Sequence, residues 1–180
     1  MGQNGEIRRI GADVLAGCDR SWPEGYEPGP QEAIAIAIAI EAHEGQHDKG
    51  GRPYIEHPAT VSLGVEGDER KAAAWLHDVV EDTEWTLDGL RARGVSDEVV
   101  RAVDALTRRK PQGETYREYI ARLSGNPIAR DVKVSDLWHN SDPARWRRGM
   151  RESLRKRYKR SLEELGADTT GYVLDPPFVD

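Results

Sequence analysis

With 180 residues, 37% of them hydrophobic and 32% charged, the chain is long enough for one domain with a sizeable core and cramped for two. A net charge of −6 argues against a general nucleic-acid binder, and no stretch reaches the ~18 apolar residues of a membrane span. The single cysteine, Cys18, excludes an intrachain disulfide, and the N-terminus has no apolar core of signal-peptide type, so a cytoplasmic setting is expected.

The segment SWPEGYEPGP, from Ser21 to Pro30, is dense in Pro and Gly and reads as a loop. In QEAIAIAIAIEAHEGQH, the Ala/Ile alternation matches a strand period, yet alanine favours helix. Acids sit in the first turn, Gly45 and Gly50 are the first terminators, and Ile36 and Ile40 lie one turn apart, so a helix is expected. DKGGRPY reads as a loop, followed by a short helix beginning near His57 and Pro58. DERKAAAWLHDVVED reads as one helix from Asp68. TLDGLRARG is capped by Thr86 and stopped by Gly94, and SDEVVRAVDALTRR is capped by Ser96. ETYREYIARL and PIARDVKVSDLWHNSD are further helical patterns, the second with Ile128, Val132 and Leu137. RWRRGMRESLRKRYKRSLEEL reads as a long basic amphipathic helix, and the tail DTTGYVLDPPFVD as irregular. The expected organisation is an N-terminal segment and loop over 1–30, an all-α single domain over 31–165 and a C-terminal tail over 166–180.

One stretch, AAAWLHDVVEDT, places His77, Asp78, Glu81 and Asp82 in an otherwise apolar segment. On a continuous helix His77 and Glu81 are four apart, as are Asp78 and Asp82, so all four share a polar stripe. A buried carboxylate is costly without a partner, and an imidazole beside a carboxylate is a common start to a divalent-metal site. Further ligands must come from elsewhere; by residue type the candidates are His57, at a loop–helix junction, and Asp136, in a mostly apolar helix.

The order His57, His77-Asp78, Asp136 resembles the signature of the HD-domain metal-dependent phosphohydrolases. The flanks AHEGQHDKGGRPYIEHP, AAAWLHDVVEDT with TLDGL, and VKVSDLWHNSD resemble three blocks of one branch, the Rel/SpoT hydrolase domains and small alarmone hydrolases. The resemblance implies an HD-type helical bundle holding one Mn²⁺ through His57, His77, Asp78 and Asp136. It implies that Glu81 and Asp82 position and deprotonate the attacking water, and that Asn140 lines the substrate site. The implied activity is removal of the 3′-pyrophosphate from (p)ppGpp. A His/Asp set suits a first-row ion better than structural Zn²⁺. Lys49, Arg52 and Lys133 are candidates for the substrate phosphates.

One position departs from the pattern. Where the family carries a basic residue, usually Arg, before the lysine of the PYIEHP block, this chain has Asp48, and an acid cannot stack on a base in the same way. The same site acting on (p)ppApp, NADPH or another nucleotide therefore stays open. So do an antitoxin role against a toxic alarmone synthetase and a homo-oligomer. His43 and His47 read as structural in preference to a second chelating pair, and His139 as structural or substrate-lining. Tyr116 and Tyr119 suit either core or pocket. Between Arg145 and Arg160, nine basic residues face Glu152 alone. That face reads as solvated, with a phosphate-rich ligand, an acidic partner or an oligomer contact as the alternative.

Overall fold

The Ala/Ile alternation folds as helix. In the computed structural model, which describes residues 25–48, 50–145 and 150–172, α1 spans Pro30–Ala42. Ala35, Ile36, Ile38 and Ala39 are buried, while Ile34 and Ile40 are partly covered. Alanines on both partners let α1 lie close against α3 (Asp68–Leu76), where Ala72, Ala73 and Ala74 are fully buried.

α1 has no side-chain cap of its own. The Asp68 carboxylate supplies one from a distance, accepting from the backbone N–H of Gln31 (2.9 Å) and Glu32 (2.8 Å). A Cβ at Gly29 would lie 2.3 Å from Asp68 Oδ1, so this approach requires glycine. Glu32 itself is 1% exposed. Burial raises its pKa, and Tyr26 Oη and Trp75 Nε1 (3.3 Å) donate to its carboxylate. Lys71 Nζ donates to Tyr26 Oη at 2.7 Å. This connected network ties α1 to the helix that delivers His77 and Asp78.

The remaining helices are α2 (Glu56–Leu63), α4 (Val79–Asp82), α5 (Leu87–Ala92), α6 (Asp97–Leu106), α7 (Tyr116–Leu123), α8 (Pro127–Asn140) and α9 (Glu152–Glu164). Thr86 caps α5, Ser96 caps α6, Thr115 and Glu118 form a reciprocal capping box on α7, and Asn126 caps α8. α3 is central, with α1, α2, α6 and α8 packed on it. The architecture is all-helical among the described residues, with one isolated antiparallel bridge between His47 and Pro53. No described helix is long and apolar enough to cross a membrane.

Two expectations change. The helix expected over 68–82 breaks at His77 and Asp78: α3 ends at Leu76 and the single-turn α4 starts at Val79. The basic helix starts at Glu152 rather than Arg145; Pro143–Arg145 is a 3₁₀ turn, and residues 146–149 lie outside the described ones. Part of the tail packs: Tyr172 is buried, its hydroxyl is 2.8 Å from Ser141 Oγ, and its ring lies 5.4 Å from that of Trp138. Residues 1–24, including Cys18 and most of the N-terminal segment, also lie outside the described residues, as do Lys49 and residues 173–180.

Candidate metal centre and cavity

Three elements converge at the C-terminal end of α3. His57 comes from the first turn of α2, His77 and Asp78 from the break between α3 and α4, and Asp136 from the middle of α8. His57 Nε2 lies 3.3 Å from His77 Nε2, 3.1 Å from Asp136 Oδ1 and 3.6 Å from Asp78 Oδ2. His77 Nε2 lies 2.9 Å from Asp78 Oδ2 and 3.7 Å from Asp136 Oδ1. Donor atoms ~2.1 Å from a shared ion stand roughly 3.0–3.5 Å apart in tetrahedral or octahedral arrangements. His57, His77 and Asp78 have ligand atoms within 4.8 Å of one another, a grouping that could hold one divalent ion; Asp136 adjoins it through both imidazoles, and a mixed nitrogen and oxygen set suits a first-row metal.

Backbone and neighbouring groups orient these donors. His77 Nδ1 donates to Ala74 O at 2.7 Å, which turns Nε2 toward the site. His57 Nδ1 is 2.9 Å from His139 Nδ1. Burial, His57 and Arg145 hold the pKa of His139 down to about 3, so it stays neutral. Arg145 Nη1 closes the back wall, 2.5 Å from His57 Nδ1 and 3.1 Å from His139 Nδ1. Asp136 accepts from Lys133 Nζ (2.7 Å) and Asn140 Nδ2 (2.5 Å), both on its own helix face. Burial would raise the Asp136 carboxyl, but the Lys133 ammonium and the imidazoles hold it well below the usual range. Burial pulls both imidazoles down; it prevails at His57, whereas the Asp78 carboxylate holds His77 up at about 9. A buried carboxylate, Asp136, and a partly buried one, Asp78, demand positive charge at this point, from a proton or a metal ion.

Tyr54 was not among the candidate residues. Its hydroxyl donates to Asp78 Oδ2 at 2.5 Å, and its ring sits 4.8 Å from that of His43. Tyr54→Phe is expected to keep the fold and weaken divalent-metal affinity by roughly tenfold or more, read by calorimetric titration. Unchanged affinity would show that the hydroxyl does not orient Asp78.

The donors open into a cavity of about 530 Å³. Glu81 and Asp82 both line it but differ in their ties. Glu81 Oε2 accepts from Arg108 N at 3.1 Å, and Oε1 pairs with Lys110 Nζ. Asp82 shows no hydrogen bond from its carboxylate among the described residues. Partial enclosure, then the Asp78 and Glu81 carboxylates, push its pKa up, although the side chain reaches solvent. Asn140, expected to line the substrate site, lines the cavity and donates to Asp136; of the residues expected to meet phosphate, Lys133 lines the cavity but is committed to Asp136. Arg52 does not line it; it is 41% exposed and lies 3.5 Å from Asp48 Oδ2. Lys49 lies outside the described residues.

Other cations line the cavity instead: Arg108, Lys110, Arg145 and Arg157. The first two ride the loop after α6. Arg122 fastens that loop by donating to Ala105 O (3.1 Å), Thr107 O (3.0 Å) and the Glu114 carboxylate (2.6 Å). TRRKPQG carries the relevant basic signal in sequence, but only this clamp aims it at the cavity. Asp48 is a loop anchor as well as a lining residue: Oδ1 accepts from Gly50 N (2.8 Å) and Arg52 N (3.0 Å). Those contacts outweigh partial burial and lower its pKa. Arg145 Nη2 lies 3.9 Å away. Tyr119 is core, its hydroxyl donating to Leu106 O at 2.6 Å, whereas the Tyr116 hydroxyl is buried with no partner; both rings line the cavity. His43 Nδ1 faces Gln46 Oε1 at 2.9 Å and His47 Nδ1 faces Gly45 O at 3.0 Å, each with its own local partner.

Residues 35–124 match the model of a family described as HD domain. The chain is 34% identical over 160 residues to a GTP pyrophosphokinase of Streptomyces coelicolor, covering 78% of this chain and 18% of that protein. It is 36% identical over 115 residues to a guanosine-3′,5′-bis(diphosphate) 3′-pyrophosphohydrolase of Haemophilus influenzae, covering 57% of this chain and 17% of that one. It is 32% identical over 161 residues to the bifunctional (p)ppGpp synthase/hydrolase SpoT of Escherichia coli, covering 73% and 23%. The chain thus spans about a fifth of the length of these relatives. A solved structure described as a metazoan ortholog of SpoT that hydrolyzes ppGpp shares the fold, with a TM-score of 0.64 at 22% identity over 78% of this chain and 88% of that one.

Proposed function

The chain belongs to the HD-domain family, and from that premise we propose that it is a metal-dependent hydrolase that removes the 3′-pyrophosphate from (p)ppGpp, with Mn²⁺ as its ion. The observation that carries this reading is the convergence of His57, His77, Asp78 and Asp136 at the base of a cavity that Arg108, Lys110, Arg145 and Arg157 also line. The names of the relatives support the substrate.

A divalent ion held there supplies Lewis acidity to a phosphate oxygen and acidity to a water. The chain's own residues do the rest. Asp82, untied and with a raised pKa, takes the proton from the attacking water. Glu81 holds Lys110 and the Arg108 backbone against the cavity. Arg108 and Lys110 meet the substrate's negative charge. The water oxygen bonds to the phosphorus nearest the sugar, the bond from that phosphorus to the 3′ oxygen breaks, the 3′ oxygen takes a proton from solvent water, and Asp82 returns the proton it took to solvent. Where the family pattern has a basic residue at position 48, Arg145 brings a guanidinium to the same corner of the cavity.

A panel of ppGpp, ppApp, NADPH and simple phosphodiesters, each with Mn²⁺, tests the assignment. The expected outcome is preferred turnover of ppGpp with release of pyrophosphate. No turnover of ppGpp beside rapid turnover of another member would move the same site to that substrate.

A further inference from the structure

A second concavity, of about 450 Å³, lies between α7 and α9. Its lining is Tyr116 and Arg117 from α7 and Arg157, Arg160, Ser161 and Glu164 from α9. Three guanidinium groups face one carboxylate. None of the three pairs with a carboxylate among the described residues, whereas Arg70, Arg91, Arg93 and Arg122 each do. Arg157 and Arg160 are three apart on one helix, where like charges repel. In a chain of net charge −6, acids were available to neutralise them, so the cluster stands uncompensated. Arginine in this arrangement matches the geometry of phosphate, and a concave basic surface focuses anions.

Two groups belong to both cavities. Arg157 lies 4.6 Å over the Tyr116 ring, and both residues also line the catalytic cavity. The Tyr116 ring is the wall between the two cavities, with Arg157 on it at 4.6 Å and Arg108 at 5.7 Å. A groove this short takes a short chain of phosphates more readily than a nucleic-acid strand.

We propose that the groove between α7 and α9 binds an oligophosphate group, at a site distinct from the catalytic centre and joined to it through Arg157 and Tyr116. The site stands on the groove's own residues and holds whichever nucleotide the catalytic cavity accepts.

Isothermal titration of the whole chain with inorganic tripolyphosphate, in EDTA and about 0.15 M salt, tests it. Stoichiometric binding is expected. The double variant Arg117→Ala/Arg160→Ala removes two groove guanidinium groups that do not line the catalytic cavity and should weaken binding about tenfold or more. Arg151→Ala/Lys156→Ala removes the same charge from the same region outside the groove and should leave binding unchanged. Circular dichroism checks that each variant is folded. Absence of stoichiometric binding, indifference to Arg117→Ala/Arg160→Ala, or equal weakening by both double variants would overturn the site. Adding a saturating 5′-triphosphorylated nucleotide, kept intact by EDTA, separates two sources of the ligand. Displacement of tripolyphosphate assigns the groove to the distal phosphates of a bound nucleotide; continued binding assigns it to a separate oligophosphate. Because the readout is binding without turnover, failure here leaves the proposed hydrolysis standing.

Discussion

Saturating Mn²⁺ is expected to raise the thermal unfolding midpoint by roughly 5–10 °C, and EDTA to abolish the rise. The magnitude follows from linkage: a ligand at 100 times its Kd that binds only the folded chain contributes about 2.7 kcal/mol, and each kcal/mol is worth ~2–4 °C at this chain length. The physical source is the buried Asp136 and the partly buried Asp78, whose charges a dication would offset, with His57 and His77 beside them. His77→Ala and Asp78→Ala should each remove the Mn²⁺ response. Asp136→Ala is a poorer probe, because it strands the buried Lys133 ammonium and should cost about 3–5 kcal/mol by itself. Calorimetric scans with and without Mn²⁺ measure the effect, and a midpoint that ignores the ion would count against the metal centre.

Asp82→Asn is expected to lower kcat by ~10²–10⁴-fold while keeping the Mn²⁺-induced rise in midpoint. The carboxylate is untied, lines the cavity and has a raised pKa, as a proton acceptor for water requires. A base works only when deprotonated, so the rate should climb as pH rises through that pKa, with its acid limb above that of an ordinary aspartate. In Asp82→Asn this limb should vanish. Glu81→Gln should also retain the metal and lose most turnover, by another route: glutamine cannot hold the Lys110 ion pair, so KM should rise together with the fall in kcat. Full activity in Asp82→Asn would remove this residue from the proton transfer.

Helix content was legible because it depends on neighbours in sequence. Caps at Thr86, Ser96 and Thr115 and alanine's preference in α1 act within a turn. The break at His77 and Asp78 was less legible. Helical spacing put both acids on one stripe, but folding ends α3 there, where His77 Nδ1 bonds to Ala74 O and Asp78 meets Tyr54. Lys133 shows the same limit. Its charge marked it for phosphate, yet its ammonium pairs with Asp136 and spends that charge on a carboxylate.

The sequence by itself determined the residue types that meet at the centre and the helices that carry them, since spacing and capping are local properties. Tertiary structure alone decided how the charges are partnered: Lys133 with Asp136, Glu81 with Lys110, Asp48 with its own loop, and Arg157 and Arg160 with no carboxylate among the described residues. A charged side chain takes whatever partner packing brings within hydrogen-bond reach, and that partner is set by chain segments distant in sequence.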